Sequence, residues 1–237
     1  MSHSLDEIMY AILNKLNSPT GELSRELASA TVSAMNSVAG VITISASSFI
    51  SKMDEFMIDR LLLGLSDGIN QEKQINDLYN YVTASSKRAF LVGSIFKQTL
   101  LSKSPKVCVL YGKILSEHIG DKTSDFSKME MIACNAISNV DDYDLMNFVI
   151  IMKEYVIKDD RGIKRVVFDN INDDKAVYEL EQTCSWCTYN RLFSYNPLEW
   201  TSWDAGNISI DAHYIVQAPA EILLNWIEEV KQIWEYM

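Results

Sequence analysis

The feature that most constrains the fold is an uncharged segment of 25 residues, 27–51, which reads LASATVSAMNSVAGVITISASSFIS. Fifteen of these residues are Ala, Ser, Thr or Gly. A membrane span needs about 20 predominantly apolar residues, so the segment is too polar for that role. Small residues recur every four positions, which allows a second helix backbone to approach closely. The predicted helix-packing face consists of Ser29, Ala30, Ser33, Ala34 and Ser37. A closely packed helix is the favoured interpretation, with conditional membrane insertion and a flexible tether as alternatives.

Helix signals continue on both sides of this segment. Ser4 is followed three residues later by Glu7, which is the capping-box pattern of a helix start. Ser104 precedes Pro105, and proline fits the first helical turn because no partner exists there for its missing N–H. Only four prolines and nine glycines occur in 237 residues. We therefore predict a mainly α protein: a helical array with N-terminal helices over 1–52 and a helical domain over 53–157.

The pattern changes near residue 155. The stretch VIKDDRGIKRVVF has β-branched runs around a turn sequence, which favours strands. Residues 173–193, DDKAVYELEQTCSWCTYNRLF, return to a helical pattern, and 198–216, LEWTSWDAGNISIDAHYIV, alternate like a hairpin. A closing amphipathic helix follows from Pro219. This order predicts a small α+β, winged-helix-like domain over 158–237.

Charge is distributed unevenly along the chain. The net charge is −11, which argues against general binding to nucleic-acid phosphates. Yet no acidic residue lies between Asp77 and Glu117, and six cations fall there. We predict a candidate surface for an anionic partner: lipid headgroups, nucleic-acid phosphate or an acidic protein. The alternative is two core helices with solvated lysine faces. The members of the candidate surface are Lys87, Arg88, Lys97, Lys103, Lys106 and Lys113.

The cysteines and histidines provide the only motif-like chemistry. Cys184-Ser-Trp-Cys187 could be a redox pair or half of a zinc site, but it lies in a predicted helix. A zinc site would need two more ligands; His213 could be one, and no obvious fourth exists. Two buried cysteines are therefore the favoured interpretation. The three histidines do not have metal-ligand spacing, and no nucleotide-binding or hydrolase motif occurs. We expect no catalytic residue, no metal and no cofactor.

Three tryptophans of the C-terminal part are candidate interface anchors, with a place in the core as the alternative. They are Trp186, Trp200 and Trp203. The candidate recognition helix, DDKAVYELEQTCSWCTYNR, is acidic, whereas DNA-binding winged helices present basic residues. Contacts with protein are therefore expected in place of contacts with DNA.

The layout of the chain resembles a loose group of uncharacterised bacterial and prophage-encoded helical proteins. The resemblance rests on VSAMNSVAGVITISASSFI, FMIDRLLLGLSDG, SPKVCVLYGKILSEHIG, AVYELEQTCSWC and HYIVQAPAEILLNWI. Some such proteins look like phage-exclusion or abortive-infection factors. The resemblance implies a role in phage–host conflict, and no catalytic residue is carried over from it.

The leading hypothesis is a non-enzymatic helical interaction protein that acts in defence or counter-defence through protein or membrane-surface contacts. The alternative is a cytoplasmic transcriptional or adaptor regulator that uses the winged-helix-like C-terminal module. The N-terminus MSHSLDEIMY lacks the pattern of a secretory signal. We therefore expect a cytoplasmic location, with contact at the inner-membrane surface as an option. Another protein or a second copy of the chain is the expected partner, and nucleic acid is not.

Overall fold

The described residues of the chain are mostly helical. The computed structural model describes residues 3–17, 49–66, 71–119, 124–168, 171, 174–196 and 213–235. Within these ranges it contains nine α-helices and a four-stranded antiparallel sheet. The predicted class, mainly α with a small α+β part, is confirmed. The predicted helix-packing face at 29–37, together with Trp200 and Trp203, lies outside the described residues.

Two compact units divide the chain. The first consists of Met1–Phe126 with Glu229–Met237, and the second is Ser127–Glu228. These bounds differ from the three domains expected from the sequence, with ends at 52 and 157. That three-domain division stays a prediction.

Five helices make up most of the first unit. They are α1 (Leu5–Asn17), α2 (Phe49–Ser66), α3 (Gln71–Ala84), α4 (Ser86–Leu101) and α5 (Pro105–His118). The predicted capping box is confirmed, because Ser4 Oγ accepts from the Glu7 N–H and the Glu7 carboxylate accepts from the Ser4 N–H. Ser104 Oγ accepts from the Val107 N–H at the start of α5, as its position before Pro105 predicted.

Helices α2 and α5 cross with their backbones in close contact. A Cβ added to Gly64 would overlap the carbonyl oxygen of Val109, and one added to Gly112 would overlap the carbonyl oxygen of Leu61. Leu61 and Val109 are fully buried. The core of the first unit is therefore built around a crossing that only glycine permits at these two positions.

The second unit combines helices with the sheet. Its helices are α6 (Lys128–Ala136), a 3-10 turn (Ile137–Asn139), α7 (Asp142–Ile150), a π-helical turn (Ile151–Tyr155) and α8 (Asp174–Tyr189). Its strands are β1 (Val156–Lys158), β2 (Lys164–Val166), β3 (Phe193–Asn196) and β4 (His213–Val216). The last helix, α9 (Ala218–Glu235), has residues in both units.

The sheet has the order β1-β2-β4-β3, with all neighbours antiparallel. The predicted strands around the Asp-Arg-Gly turn are confirmed as β1 and β2. The side chain of Asp159 accepts from the N–H groups of Arg161 and Ile163, and Gly162 has φ of 79°. The turn residues therefore set the register of this hairpin.

The predicted helix over 173–193 is too long at its C-terminal end. Arg191 has φ of 62°, and the Leu192 N–H donates to the Cys187 carbonyl, so a left-handed cap ends α8. Phe193 consequently begins β3, which pairs with β4. The predicted turn at 204–207 lies outside the described residues. The winged-helix assignment stays a prediction.

Candidate functional site

The six cations of the candidate anionic-partner surface lie in several different surroundings. Lys87 and Arg88 both pair with Asp125, at 3.3 and 2.8 Å, and Lys113 pairs with Glu229 at 2.7 Å. These hydrogen bonds, that from Arg88 first, hold the pKa of Asp125 below its ordinary value. Three of the six cations are therefore paired with two carboxylates of the first unit, since Lys87 and Arg88 share Asp125.

The remaining three cations are less constrained. Lys106 lies over the Trp234 ring, with Nζ 5.8 Å from the ring centroid. Lys97 and Lys103 are exposed. Within the described ranges these two make no ion pair. Since neighbouring cations are already paired with carboxylates, the anionic-partner surface stays a prediction with two exposed lysines as its strongest members.

Trp186 belongs to the packing of the second unit. Its ring contacts that of Phe148 edge-on, with centroids 6.2 Å apart, and Phe148 is fully buried. Trp186 itself is half-buried, so its role as an interface anchor stays a prediction. The aromatic contact joins α7 to α8.

Cys184 and Cys187 are fully buried on α8. Burial raises the pKa of the Cys184 thiol, and burial together with the nearby thiol of Cys184 raises that of Cys187. A neutral, buried thiol is neither a good nucleophile nor a metal ligand. No group of three metal-binding side chains occurs among the described residues. The His213 side chain, the third ligand considered from sequence, lies outside them.

A polar network lies between α7 and α8. The buried hydroxyl of Thr183 donates to Asp144 at 2.7 Å and faces the Asn147 amide at 3.4 Å. One turn earlier on both helices, the Tyr143 hydroxyl donates to the Glu179 carboxylate. The residue numbers of the contacting pairs increase together on α7 and α8, so the two helices run side by side in the same direction. The network holds α7 in one orientation, because its buried polar groups need these partners.

That orientation leaves an apolar stripe on the outside of α7. Tyr143, Met146 and Ile150 are 54%, 40% and 37% exposed. Their spacings of three and four residues place them on one helix face. The opposite face of α7 is in the core, where Leu145 and Phe148 are fully buried. We call these three residues the α7 stripe; they are exposed together on one helix face, and the Tyr143 hydroxyl at its edge donates to Glu179.

The unit around the α7 stripe is strongly acidic. Residues 127–228 contain 17 acidic and 8 basic residues, a net charge of −9 out of −11 for the whole chain. Four of its cations already pair with carboxylates of the same unit. These pairs are Lys153–Glu228, Lys164–Glu221, Arg165–Asp159 and Lys175–Glu179. The electrostatic potential around the stripe is therefore expected to be negative.

A separate groove of about 760 Å³ lies between α1 and α3 in the first unit, lined by Tyr10 and Tyr79 among others. Glu7 lines it too, but its carboxylate caps α1. The Ser4 N–H, followed by His3, lowers the pKa of Glu7 below its ordinary value. The ring of His3 stacks on Tyr79 with centroids 3.7 Å apart. The carboxylate is thus a firmly ionised cap and is poorly suited to proton transfer near neutral pH.

The α7 stripe is absent from the sequence-based predictions. Its signal was visible, since apolar residues recur at helical spacing through DYDLMNFVIIM. However, this helix is apolar on more than one face, and periodicity does not reveal which apolar face is buried. Only the Thr183 and Phe148 contacts with α8 show that the 143–146–150 face points outward.

No protein-family model matches the chain, and comparisons with curated proteins and with solved structures likewise give no match. Among the described residues, no helix is both long enough and apolar enough to cross a bilayer. Function is therefore argued from the geometry of the site alone.

Proposed function

We propose that the protein is a non-enzymatic interaction protein that binds another protein through the α7 stripe. The observation that carries the proposal is the exposure of Tyr143, Met146 and Ile150 on one face of a rigidly held helix. Single exposed apolar residues are ordinary, but a set aligned on one helix face is typical of helix-mediated recognition. The network around Thr183 holds this face in a fixed orientation before any partner arrives, which reduces the entropy cost of binding.

The most reactive groups of the described residues support a non-catalytic role. The thiols of Cys184 and Cys187 are buried and protonated, and the Glu7 carboxylate caps a helix. Each of these groups has a structural role that conflicts with nucleophilic or acid–base chemistry.

The regulator alternative depends on a winged-helix-like use of α8. This helix contains Lys175 and the carboxylates Asp174, Glu179 and Glu181, so its charge opposes phosphate contacts. A regulator of this kind would act through protein contacts, as the proposed function does. We retain the phage–host setting as part of the proposal, because the layout of the chain loosely resembles uncharacterised prophage-encoded helical proteins, some of which look like phage-exclusion factors.

Photo-crosslinking in the native host tests the proposal. A photoreactive amino acid replaces Met146 in the stripe, and in a matched control it replaces Met129, which is similarly exposed at 43% on α6 of the same unit. We expect a discrete crosslinked product from position 146 that is absent from position 129. Equal products from both positions, or none from 146, would contradict the proposal.

A further inference from the structure

The chemistry of the α7 stripe also indicates which kind of partner it fits. We infer that the stripe binds a cationic amphipathic helix of another protein, an inference that rests on the proposed function and specifies the partner. Two observations carry it: the spacing of the stripe and the negative charge of the surrounding unit.

The spacing matches a helix. The stripe extends over eight residues of α7, from Tyr143 to Ile150, which is about 10 Å along the axis. A partner helix presents apolar residues at the same three- and four-residue intervals, so that side chains of the two helices interdigitate. An extended strand alternates its side chains every two residues and would match fewer of these positions.

The charge of the unit favours positive flanks on that helix. Glu179 contacts the stripe through Tyr143, and Glu154 lies one turn beyond Ile150 and is exposed. Glu154 makes no ion pair among the described residues. The unit as a whole is at −9, and its lysines at 153, 164 and 175 already pair with carboxylates. The other four cations of the unit, Lys128, Lys158, Arg161 and Arg191, are exposed, but carboxylates outnumber cations by nine, so a partner that carries positive charge is favoured.

The same charge argues against a second copy of the chain as the occupant. A two-fold symmetric contact would place each stripe against its own equivalent. Each acidic unit would then face another acidic unit, and like charges in apposition oppose association. A cationic helix of another protein carries the opposite charge, so this repulsion does not oppose its binding.

The test uses the full chain and three synthetic helical peptides of about 18 residues, roughly five turns. The first has a leucine stripe flanked by lysines, the second replaces every lysine with glutamate, and the third keeps the lysines but replaces every leucine with serine. Binding is measured by fluorescence anisotropy. We expect the first peptide to bind at least about tenfold more tightly than either of the others. Equal binding of the first and second peptides, or of the first and third, would overturn the inference.

Variants of the stripe residues test whether the first peptide binds at the α7 stripe. The double variant Met146→Ser with Ile150→Ser should weaken binding of the first peptide about tenfold, because buried apolar area is lost. The control Met129→Ser should bind as the wild type does. Thermal melts of all variants establish that they are folded. Unchanged binding by the folded double variant would place the peptide elsewhere and refute the inference.

Two further outcomes separate the inference from the proposed function. If position 146 crosslinks to a protein in cells while the lysine peptide fails to bind, the stripe is an interface and the partner chemistry is wrong. If sedimentation shows a dimer that Met146→Ser disperses, the occupant is a second copy and the inference is again wrong. If both the crosslink and the peptide fail, the proposed function falls as well.

Discussion

At the scale of single residues, Gly64 and Gly112 set the distance between helices α2 and α5. Neither position has room for a Cβ, because the carbonyl oxygens of Val109 and Leu61 occupy that space. The sequence contains both glycines but no sign that they meet, since they are 48 residues apart in the chain. Close packing was expected instead from the small residues at 29–37, which lie outside the described part of the structure.

Gly64→Ala should destabilise the protein by about 3 kcal/mol, because the added methyl group forces two helix backbones apart. Urea unfolding followed by circular dichroism measures the loss. Asn80→Ala, at an exposed position of α3, should change the free energy of unfolding by less than about 0.5 kcal/mol. A Gly64→Ala protein as stable as the wild type would show that the two helices do not cross closely.

The four cysteines should be inert in the native protein. All four are buried, and burial raises the pKa of Cys134 to about 12 and also raises those of Cys184 and Cys187. Labelling of the native thiols with a disulfide reagent at neutral pH should therefore be slow, because it requires local opening of the structure. In denaturant, all four thiols should react immediately. Two thiols that react immediately in the native protein would instead indicate an active redox pair at 184 and 187.

At the scale of elements, the β1–β2 hairpin depends on one carboxylate. Asp159 accepts from Arg165 at 2.9 Å and from the N–H groups of Ile163 and Arg161. These bonds, Arg165 first, lower the pKa of Asp159 from its ordinary value of 3.8. The charged form is therefore favoured in the folded state. Its contribution to stability is present above pH 3.8 and is lost as the pH falls through the lower folded-state pKa.

Asp159→Asn should accordingly destabilise the protein at neutral pH and have a smaller effect in acid. Thermal melts of wild type and variant at pH about 7 and about 3 measure the difference between them at each pH. The gap should narrow on acidification because the unfolded wild type binds a proton at this carboxyl more readily than the folded protein does. A gap that stays constant would mean that the charge of Asp159 makes no difference to the hairpin.

The packing of α7 against α8 depends on the side-chain hydroxyl of Thr183, as the hairpin depends on the carboxylate of Asp159. Thr183→Val keeps the shape but removes the hydroxyl shared by Asp144 and Asn147, so we expect a loss of about 1–3 kcal/mol. Thr188 donates only to the Cys184 carbonyl one turn earlier. Thr188→Val should therefore cost less in the same urea titration. Equal losses of unfolding free energy for Thr183→Val and Thr188→Val would contradict the view that the Thr183 network holds α7 rigidly.

The positions of helices and strands were easier to predict from the sequence than the helix faces that are buried or exposed. Ser4 with Glu7, Ser104 with Pro105 and the turn at Asp159 are local signals, since each acts on a backbone within a few residues. The faces depend on contacts between distant segments. The cations at 87–113 are neighbours in sequence, yet five lie on two helices and Lys103 lies in the loop between them. They meet different partners, Asp125 and Glu229 among them. For the same reason the outward direction of Met146 was not predictable.

At the scale of the whole molecule, the charge is concentrated in one unit. The unit at 127–228 has a net charge of −9, which leaves −2 for the remainder of the chain. In the sequence the basic run at 87–113 is easier to recognise than this acidic unit, because its cations lie close together along the chain. A partner that approaches this unit is expected to associate faster at low salt.

The central claim, that the α7 stripe is the binding surface, is tested most directly by quantitative co-purification from the native host. Wild type, the double variant Met146→Ser with Ile150→Ser, and the control Met129→Ser are compared at equal expression. The proposed function predicts a protein that is retained by wild type and control and lost from the double variant. Identical sets of retained proteins for all three would contradict it.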